Sequence, residues 1–477
     1  MTSNIANQPN AEAAELKARY VGRMLQDVDG PVPVIDREVA RRNCQVMLDA
    51  ADALDVDFRA HAKTHKTTEL TRFQVGEKSD SVRLIASTLV EAEQLTPFLK
   101  ECQSKDRKVD LIYGLPVQPS CCPRLAELGK ILGHGAVTCL VDSTEIIPYL
   151  SRYHALCGMR LGIFIKLDTG YGRAGVAPDS SQFDAIVNEL YALEIKEPHL
   201  LTLRGFYSHM GHSYGSDSPS EAMDYLRLEI EQCELAAKRV SALPPPVQPD
   251  GEADYSQRRF ILSVGATPST TSAQNLTASQ TLSLPGADKV KALIEQTKQK
   301  YDIELHAGAY VTLDVQQLAA RARPCSSHLS FDDIALTMLA EVASLYMHRD
   351  HPEALVACGS LAMGREPCRT YSGWGIVTPW REQAGDDQQQ GKTGHYDPDG
   401  DKTGWIVDRI SQEHGILRWN GSRENMQPLR IGEKLRIWPN HCCICCAGFT
   451  YLLVVDSTAQ GTEKDRIVDV WQSWRGW

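Results

Sequence analysis

The first residues with the types and spacing for chemistry are His61-Ala62-Lys63-Thr64-His65-Lys66-Thr67, a basic heptad. They follow Val56-Asp57-Phe58-Arg59-Ala60, whose alternating bulky residues read as a β-strand. The C-terminal end of such a strand is where catalytic residues gather in barrels and open α/β sheets. An ε-amine desolvated beside other cations gives up its proton and can form a Schiff base with a carbonyl. His61, His65 and Lys66 supply such neighbours to Lys63, although a solvated basic loop would carry the same residues.

Three more segments place chemistry after expected strands. In Lys166-Leu167-Asp168-Thr169-Gly170-Tyr171-Gly172-Arg173-Ala174-Gly175, glycine admits close backbone approach and the Arg suits a phenolate or carboxylate. Ser208-His209-Met210-Gly211-His212 offers an imidazole that either meets a ligand or is satisfied locally. Ser263-Val264-Gly265-Ala266-Thr267-Pro268-Ser269 offers hydroxyls and backbone N–H groups suited to a phosphate, or is a plain Ser/Thr turn. Far downstream lies Trp438-Pro439-Asn440-His441-Cys442-Cys443-Ile444-Cys445-Cys446. On a strand, period-two alternation puts His441 and Cys443 on one face, and imidazole plus thiolate suit Zn²⁺. A four-cysteine metal site and buried free cysteines are the alternatives.

The elements that must position these groups alternate. Strands are expected at 56–60, 81–86, 109–113, 137–141, 161–167, 200–207, 260–264 and 303–306, with helices between them. That repeat predicts an α/β fold, a parallel (β/α)8 TIM-type barrel, with an open doubly wound sheet as the alternative. Upstream, residues 11–28 read as an amphipathic helix. Pro31-Val32-Pro33-Val34-Ile35-Asp36 reads as a strand entering the barrel domain, with Asp36 capping the next helix. Beyond Gln316 the segments turn strand-rich, and all eight tryptophans lie between Trp374 and Trp477, which marks a change of domain type. The expected organisation is therefore an N-terminal helical segment (1–30), a cofactor-binding barrel (31–316) and a mainly β, metal-binding domain (317–477). Residues 244–257 read as an insertion and 385–402 as an exposed loop.

Composition narrows the class. The 477 residues are 42% hydrophobic and 23% charged, enough for two substantial cores. A net charge of −11, spread along the chain, argues against nucleic acid or an anionic membrane as partner and leaves a small molecule. No run is apolar enough to span a membrane, and the polar first fifteen residues lack a signal core, so a cytoplasmic location is expected. Fourteen cysteines scattered over such a chain read as reduced thiols and metal ligands rather than a disulfide framework.

In order and content, the barrel motifs resemble the fold-type III pyridoxal-phosphate enzymes, the alanine racemase-like barrels, over most of residues 30–460. The resemblance implies that Lys63 carries pyridoxal 5'-phosphate and that Arg173 lies near its phenolic oxygen. It further implies that His209 stacks on the pyridine ring and that Gly265 and Thr267 hold the phosphate. Glu304-Leu305-His306-Ala307-Gly308-Ala309-Tyr310 is similar to the last barrel strand and its exit, which adds Tyr310 to the cofactor-binding set. Many relatives have Arg where this chain has His306.

Pro-Asn-His-x-Cys, with Glu413-His414-Gly415 upstream, resembles the eukaryotic zinc-dependent D-serine dehydratases. The similar D-threonine aldolases usually place Asp where Cys443 stands. This branch implies Zn²⁺ on His441 and Cys443, Lys63 as catalytic base, a D-amino acid substrate and a homodimer. The expected reaction is β-elimination from D-serine, with D-threonine open as a second substrate. An aldolase-like lyase, a racemase and a non-catalytic pyridoxal-phosphate carrier are the competing readings.

Overall fold

The computed structural model describes residues 8–243, 259–277, 284–380 and 394–477. The expected insertion at 244–257 and the stretch 385–393 of the expected loop lie outside the described residues. Two compact units divide the chain. One comprises residues 44–310, 320–327 and 474–477, and the other 1–43, 311–319 and 328–473.

Strand β1 (Val32–Asp36) precedes the barrel strands β2 (Asp57–His61), β3 (Ser81–Ala86), β4 (Lys108–Pro116), β5 (Val137–Val141), β6 (Leu161–Leu167), β7 (Leu201–Ser208), β8 (Ile261–Val264) and β9 (Asp302–Ala307). Strands β2 to β9 pair in sequence order, and β9 returns to β2 through Asp57↔Glu304 to Ala60↔Ala307, so the expected barrel closes. Parallel neighbours need crossovers, and the helices between the strands provide them. Their starts carry oxygen caps: Thr88 accepts from Glu91 N ahead of Leu89–Ser104, and Ser218 from Glu221 N ahead of Pro219–Ser241. Every residue of β5 and β6 is buried, as expected for aliphatic runs covered on both faces. Ile85, Ile112, Leu140, Phe164 and Tyr207, from five consecutive strands, form one apolar cluster.

A charge network is buried with them. Arg59 is fully inaccessible; its guanidinium donates to both Glu304 oxygens at 2.7 and 2.8 Å and to Asp110 Oδ2 at 2.7 Å. Burial pushes the Asp110 carboxyl up, but Arg59 and Arg204 outweigh it and hold it down at about 2.

The second unit is built on nine strands. Its further members are β10 (Leu336–Tyr346), β11 (Glu353–Val356), β12 (Gly375–Val377), β13 (Gly404–Ile410), β14 (Gly415–Asn420), β15 (Lys434–Pro439), β16 (Tyr451–Val455) and β17 (Asp469–Gln472). Their order is β11-β14-β13-β12-β15-β10-β1-β16-β17, with β10 also pairing to β11. The expected mainly β region is therefore present. One expectation changes: β1 does not enter the barrel but lies antiparallel to β10 and parallel to β16. All five of its residues are buried, and Val32 and Val34 pack with Leu339, Leu453 and Val455. Asp36 does cap the next helix, accepting from Glu38 N and Val39 N at 3.1 and 3.2 Å. The first helix, Gln8–Tyr20, stops short of the expected residue 28 because Gly22 turns the chain at φ +89°. Among the described residues, no helix is long and apolar enough to cross a membrane.

Removing the guanidinium in Arg59→Met leaves Glu304 and Asp110 without their shared cation. The expected loss of barrel stability is about 3 kcal/mol, read from the urea unfolding midpoint: Arg204 still reaches Asp110 at 3.0 Å, but buried Glu304 keeps only Arg83 at 3.6 Å, and a buried charge stripped of its main partner costs that much.

Candidate active site

Lys63 sits just beyond β2 rather than on it. The strand ends at His61, and a 3-10 turn, Ala62–Thr64, carries the lysine. His61 shapes that turn, since its Nδ1 accepts from Lys63 N at 3.4 Å. His65 is buried and held by Thr67 at Nδ1 and Gln74 at Nε2. Burial lowers it to about 4 despite the Gln74 bond, so it is a neutral structural group.

At the end of β6, Lys166 is buried with its Nζ 4.7 Å from the Tyr207 ring centre. Asp168 Oδ1 accepts from the N–H groups of Gly170, Tyr171 and Gly172, each at 3.0 Å, and closes the glycine-rich turn. Gly175 is indispensable there, because at φ +108° a Cβ would lie 2.5 Å from the Leu167 carbonyl carbon. The turn carries Arg173 at the surface, its guanidinium 5.1 Å from the Tyr171 ring centre. Burial first, then Arg173 and Lys63, lower Lys166 to about 8, with Asp142 and Glu229 opposing.

His209, after β7, donates from Nδ1 to Gly265 O at 2.8 Å, which fixes its tautomer because a carbonyl only accepts. Gly265 follows β8 at φ +143°, where a Cβ would lie 2.4 Å from His306 O. Its own N–H is already donated to Glu229 Oε1. Thr267 Oγ1 accepts from Ala309 N at 3.1 Å, so the hydroxyl proton can be given elsewhere.

His306, on β9, stacks on Tyr207 at 4.3 Å and lies nearly parallel to His209 at 6.1 Å. Ser263 Oγ donates to Glu304 at 2.7 Å and lies 3.1 Å from His306 Nδ1. With the serine proton directed to the carboxylate, Nδ1 must be the donor to Ser263, and Nε2 carries the lone pair. That Nε2 is buried with no hydrogen-bond partner among the described residues. His61, His209 and His306 are all pushed well below the ordinary histidine value, by burial first and then by neighbouring charges that include Lys63. Tyr310 is buried, and its ring meets the edge of Phe58 at 5.5 Å.

The barrel's strand ends thus gather three cations, Lys63, Lys166 and Arg173, with neutral imidazoles and an acceptor at His306 Nε2 that has no partner among the described residues. An anionic aromatic cofactor suits such a set. Sequence reasoning quoted Lys166 without counting it in the site and did not single out Glu229 at all.

In the β unit the structure corrects a local expectation. Strand β15 ends at Pro439, and His441 caps a short helix, Cys442–Ala447, so no strand alternation pairs it with Cys443. Asp314 breaks the strand by accepting Cys442 N at 3.0 Å. Asn440 locks the approach, donating to Glu366 O and Gly373 O at 3.0 and 2.8 Å. His441 and Cys443 still come within hydrogen-bond reach. Burial alone would lower His441, but Cys443, Asp314 and Glu366 raise it to about 9. Gln316 Nε2 donates to Pro367 O, which turns its Oε1 to His441 Nδ1 at 2.6 Å and leaves Nε2 for a metal or the thiol. One imidazole and one thiol in an acidic setting suit a divalent metal. Among the described residues, no group of three or more His, Cys, Asp or Glu forms a metal cluster, so the four-cysteine alternative lacks its site. Glu413 and His414 lie in the exposed turn between β13 and β14.

A closed parallel barrel with a lysine beyond its first strand, in a chain that also builds an antiparallel β unit, defines an alanine racemase-like protein. That fold implies pyridoxal-phosphate dependence. Residues 35–249 match the family described as "Alanine racemase, N-terminal domain", and residues 335–455 match "Putative serine dehydratase domain". The chain is 33% identical to the D-serine dehydratase of Schizosaccharomyces pombe, covering 98% of this chain and 97% of that protein. It is 31% identical to that of Saccharomyces cerevisiae, covering 97% and 100%. The solved D-threo-3-hydroxyaspartate dehydratase from Delftia sp. HT23 superposes with a TM-score of 0.66 at 25% identity, covering 95% of this chain and all of that one. The chain belongs to the D-serine dehydratase family.

Lys166 gives a pH signature in the cofactor-free protein. The unfolded chain keeps the lysine proton to its ordinary value of 10.5, whereas the folded one releases it near 8. Below that window the buried charge costs stability, and the cost is relieved as pH rises from 8 to 10.5, by on the order of 3 kcal/mol. Melting temperatures against pH should show this rise in the parent and its loss in Lys166→Met.

Proposed function

We propose that this protein eliminates water from D-serine to give pyruvate and ammonia, with pyridoxal phosphate on Lys63 and zinc on His441 and Cys443. The observation that carries this reading is the full-length likeness to the two yeast D-serine dehydratases. Pyridoxal phosphate, when bound, supplies the electron sink that acidifies the substrate Cα–H. Lys63 Nζ anchors the cofactor covalently and accepts the Cα proton. His209, neutral and held by Gly265 O, would stack on the pyridine ring without adding charge. Arg173 would answer the phenolic oxygen, and Thr267, whose oxygen accepts from Ala309 N, would give its hydroxyl proton to the phosphate. Gly265 lets its turn pack directly against Thr270 and His306, and with Tyr310 at the exit of β9 it would complete the cofactor-binding set.

Zinc, when bound, supplies the Lewis acidity that turns the β-hydroxyl into a leaving group. Gln316 orients His441 so that Nε2 is the ligating nitrogen, beside the Cys443 thiolate. Loss of the Cα proton and the β-hydroxide releases one water and leaves an enamine. Hydrolysis of the enamine takes up one water and frees ammonia with pyruvate. D-Threonine, with one more methyl at Cβ, is a second substrate for the same step. A homodimer and a cytoplasmic setting complete the proposal on family grounds.

Purified protein given D-serine should form pyruvate, lose that activity on chelation while keeping its visible cofactor band, and regain it with zinc. A chelated enzyme that stays fully active would falsify the metal assignment. Glycine from D-threonine, with no pyruvate from D-serine, would transfer the chain to the aldolases. Lys63→Ala should lose both the band and pyruvate formation; a variant that keeps either one contradicts the anchor role.

A further inference from the structure

Glu229 lies in the middle of the helix Pro219–Ser241 and is fully buried. It makes no ion pair among the described residues. Four donors meet its carboxylate instead: Ser208 Oγ at 3.0 Å, Met210 N at 2.8 Å and Gly265 N at 3.2 Å on Oε1, and Ser269 Oγ at 2.9 Å on Oε2. A carboxylate is an expensive way to fill a helix position whose neighbours Ile230 and Cys233 are equally buried and mostly apolar. Its four bonds go to the last residue of β7 and to the two loops that leave β7 and β8, and those loops carry His209 and the Gly265–Thr267 turn.

We propose that Glu229 is a positioning residue that sets His209 and the Gly265–Thr267 turn in register for the cofactor; this rests on the reading that both face pyridoxal phosphate. The geometry is a closed triangle. Oε1 binds Met210 N, directly after His209, and also binds Gly265 N, while His209 Nδ1 returns to Gly265 O. With two sides fixed by one oxygen, the imidazole has its plane, its tautomer and its distance from the turn set before any ligand arrives. The second oxygen extends the hold. Ser269 donates to Oε2 and accepts Ala266 N at 3.0 Å, so the start of Thr267–Thr271 is tied to the same carboxylate. A glycine at 265 is what lets the turn come this near.

The test compares Glu229→Gln with Glu229→Met by titrating pyridoxal phosphate into cofactor-free protein, following the visible band and its circular dichroism. Gln keeps one carbonyl oxygen for Met210, Gly265 and Ser208. Its amide can donate to Ser269, whose hydroxyl then turns to Ala266 O, already 3.3 Å away. Gln should therefore hold cofactor affinity within about threefold, whereas Met, which accepts nothing, should weaken it about tenfold or more and shrink the visible dichroism. A Met variant with parental affinity and dichroism overturns the proposal, and so does a Gln variant as impaired as Met. Should Glu229→Met fail to fold by far-ultraviolet dichroism, Ser269→Ala removes a single donor. A loss of about threefold in affinity is then expected, and no change overturns the proposal. A parent protein without a visible band sinks the cofactor reading and this proposal together; a normal parental band with unaffected variants sinks the proposal alone.

Discussion

Arg59 exposes no surface, and two carboxylates from other strands, Glu304 on β9 and Asp110 on β4, answer its charge. Such a group cannot be left half-satisfied, so the three residues fix one another. The consequence travels upward along β9. Because Glu304 is held as the acceptor for Arg59, Ser263 gives it a proton, and His306 must then give its Nδ1 proton to Ser263. The lone pair at His306 Nε2 is thus dictated by an ion pair several bonds beneath it. The ring itself is held flat against Tyr207, and one buried cation governs the chemistry available at that strand end.

The strand ends collect positive charge in a chain that is negative overall. Lys63, Lys166 and Arg173 repel one another, and burial, reinforced by neighbouring positive charge, keeps the nearby imidazoles neutral. A site assembled under such repulsion is primed for a ligand with negative charge at both a phosphate and a phenolate, whose binding relieves the stored repulsion and stabilises the fold by mass action. The β unit holds the opposite arrangement. Carboxylates from Asp314 and Glu366 surround a single imidazole and thiol, so that environment draws protons or metal cations rather than anions. Each unit is therefore electrostatically committed to one kind of guest.

Much of this could be read from the chain. The eight barrel strands stood out because each is a short aliphatic run ended by a turn, and Lys63, Arg173, His209 and Gly265 stood out because unusual residues followed those runs directly. What could not be read depended on distant partners. Nothing local in Val32–Asp36 reveals that its neighbours are β10 and β16. Period-two spacing suggested a strand at His441, yet Asp314, more than a hundred positions away, takes the Cys442 N–H and starts a helix. Glu229 is hidden most completely, since a glutamate on a long amphipathic helix reads as solvent-facing until the four donors are seen.

The placement of β1 bears on how the chain is made. Val32 waits for Leu339 and Val34 for Leu453, so the strand emerges from the ribosome long before either of its neighbours exists. The β2–β9 barrel is synthesised entirely within that interval. Until β10 and β16 arrive, a strand with four apolar residues and unpaired edges needs shelter from other nascent chains. Vectorial synthesis therefore makes the barrel strands available before the sheet's other strands, and leaves the first strand to wait longest for its partners.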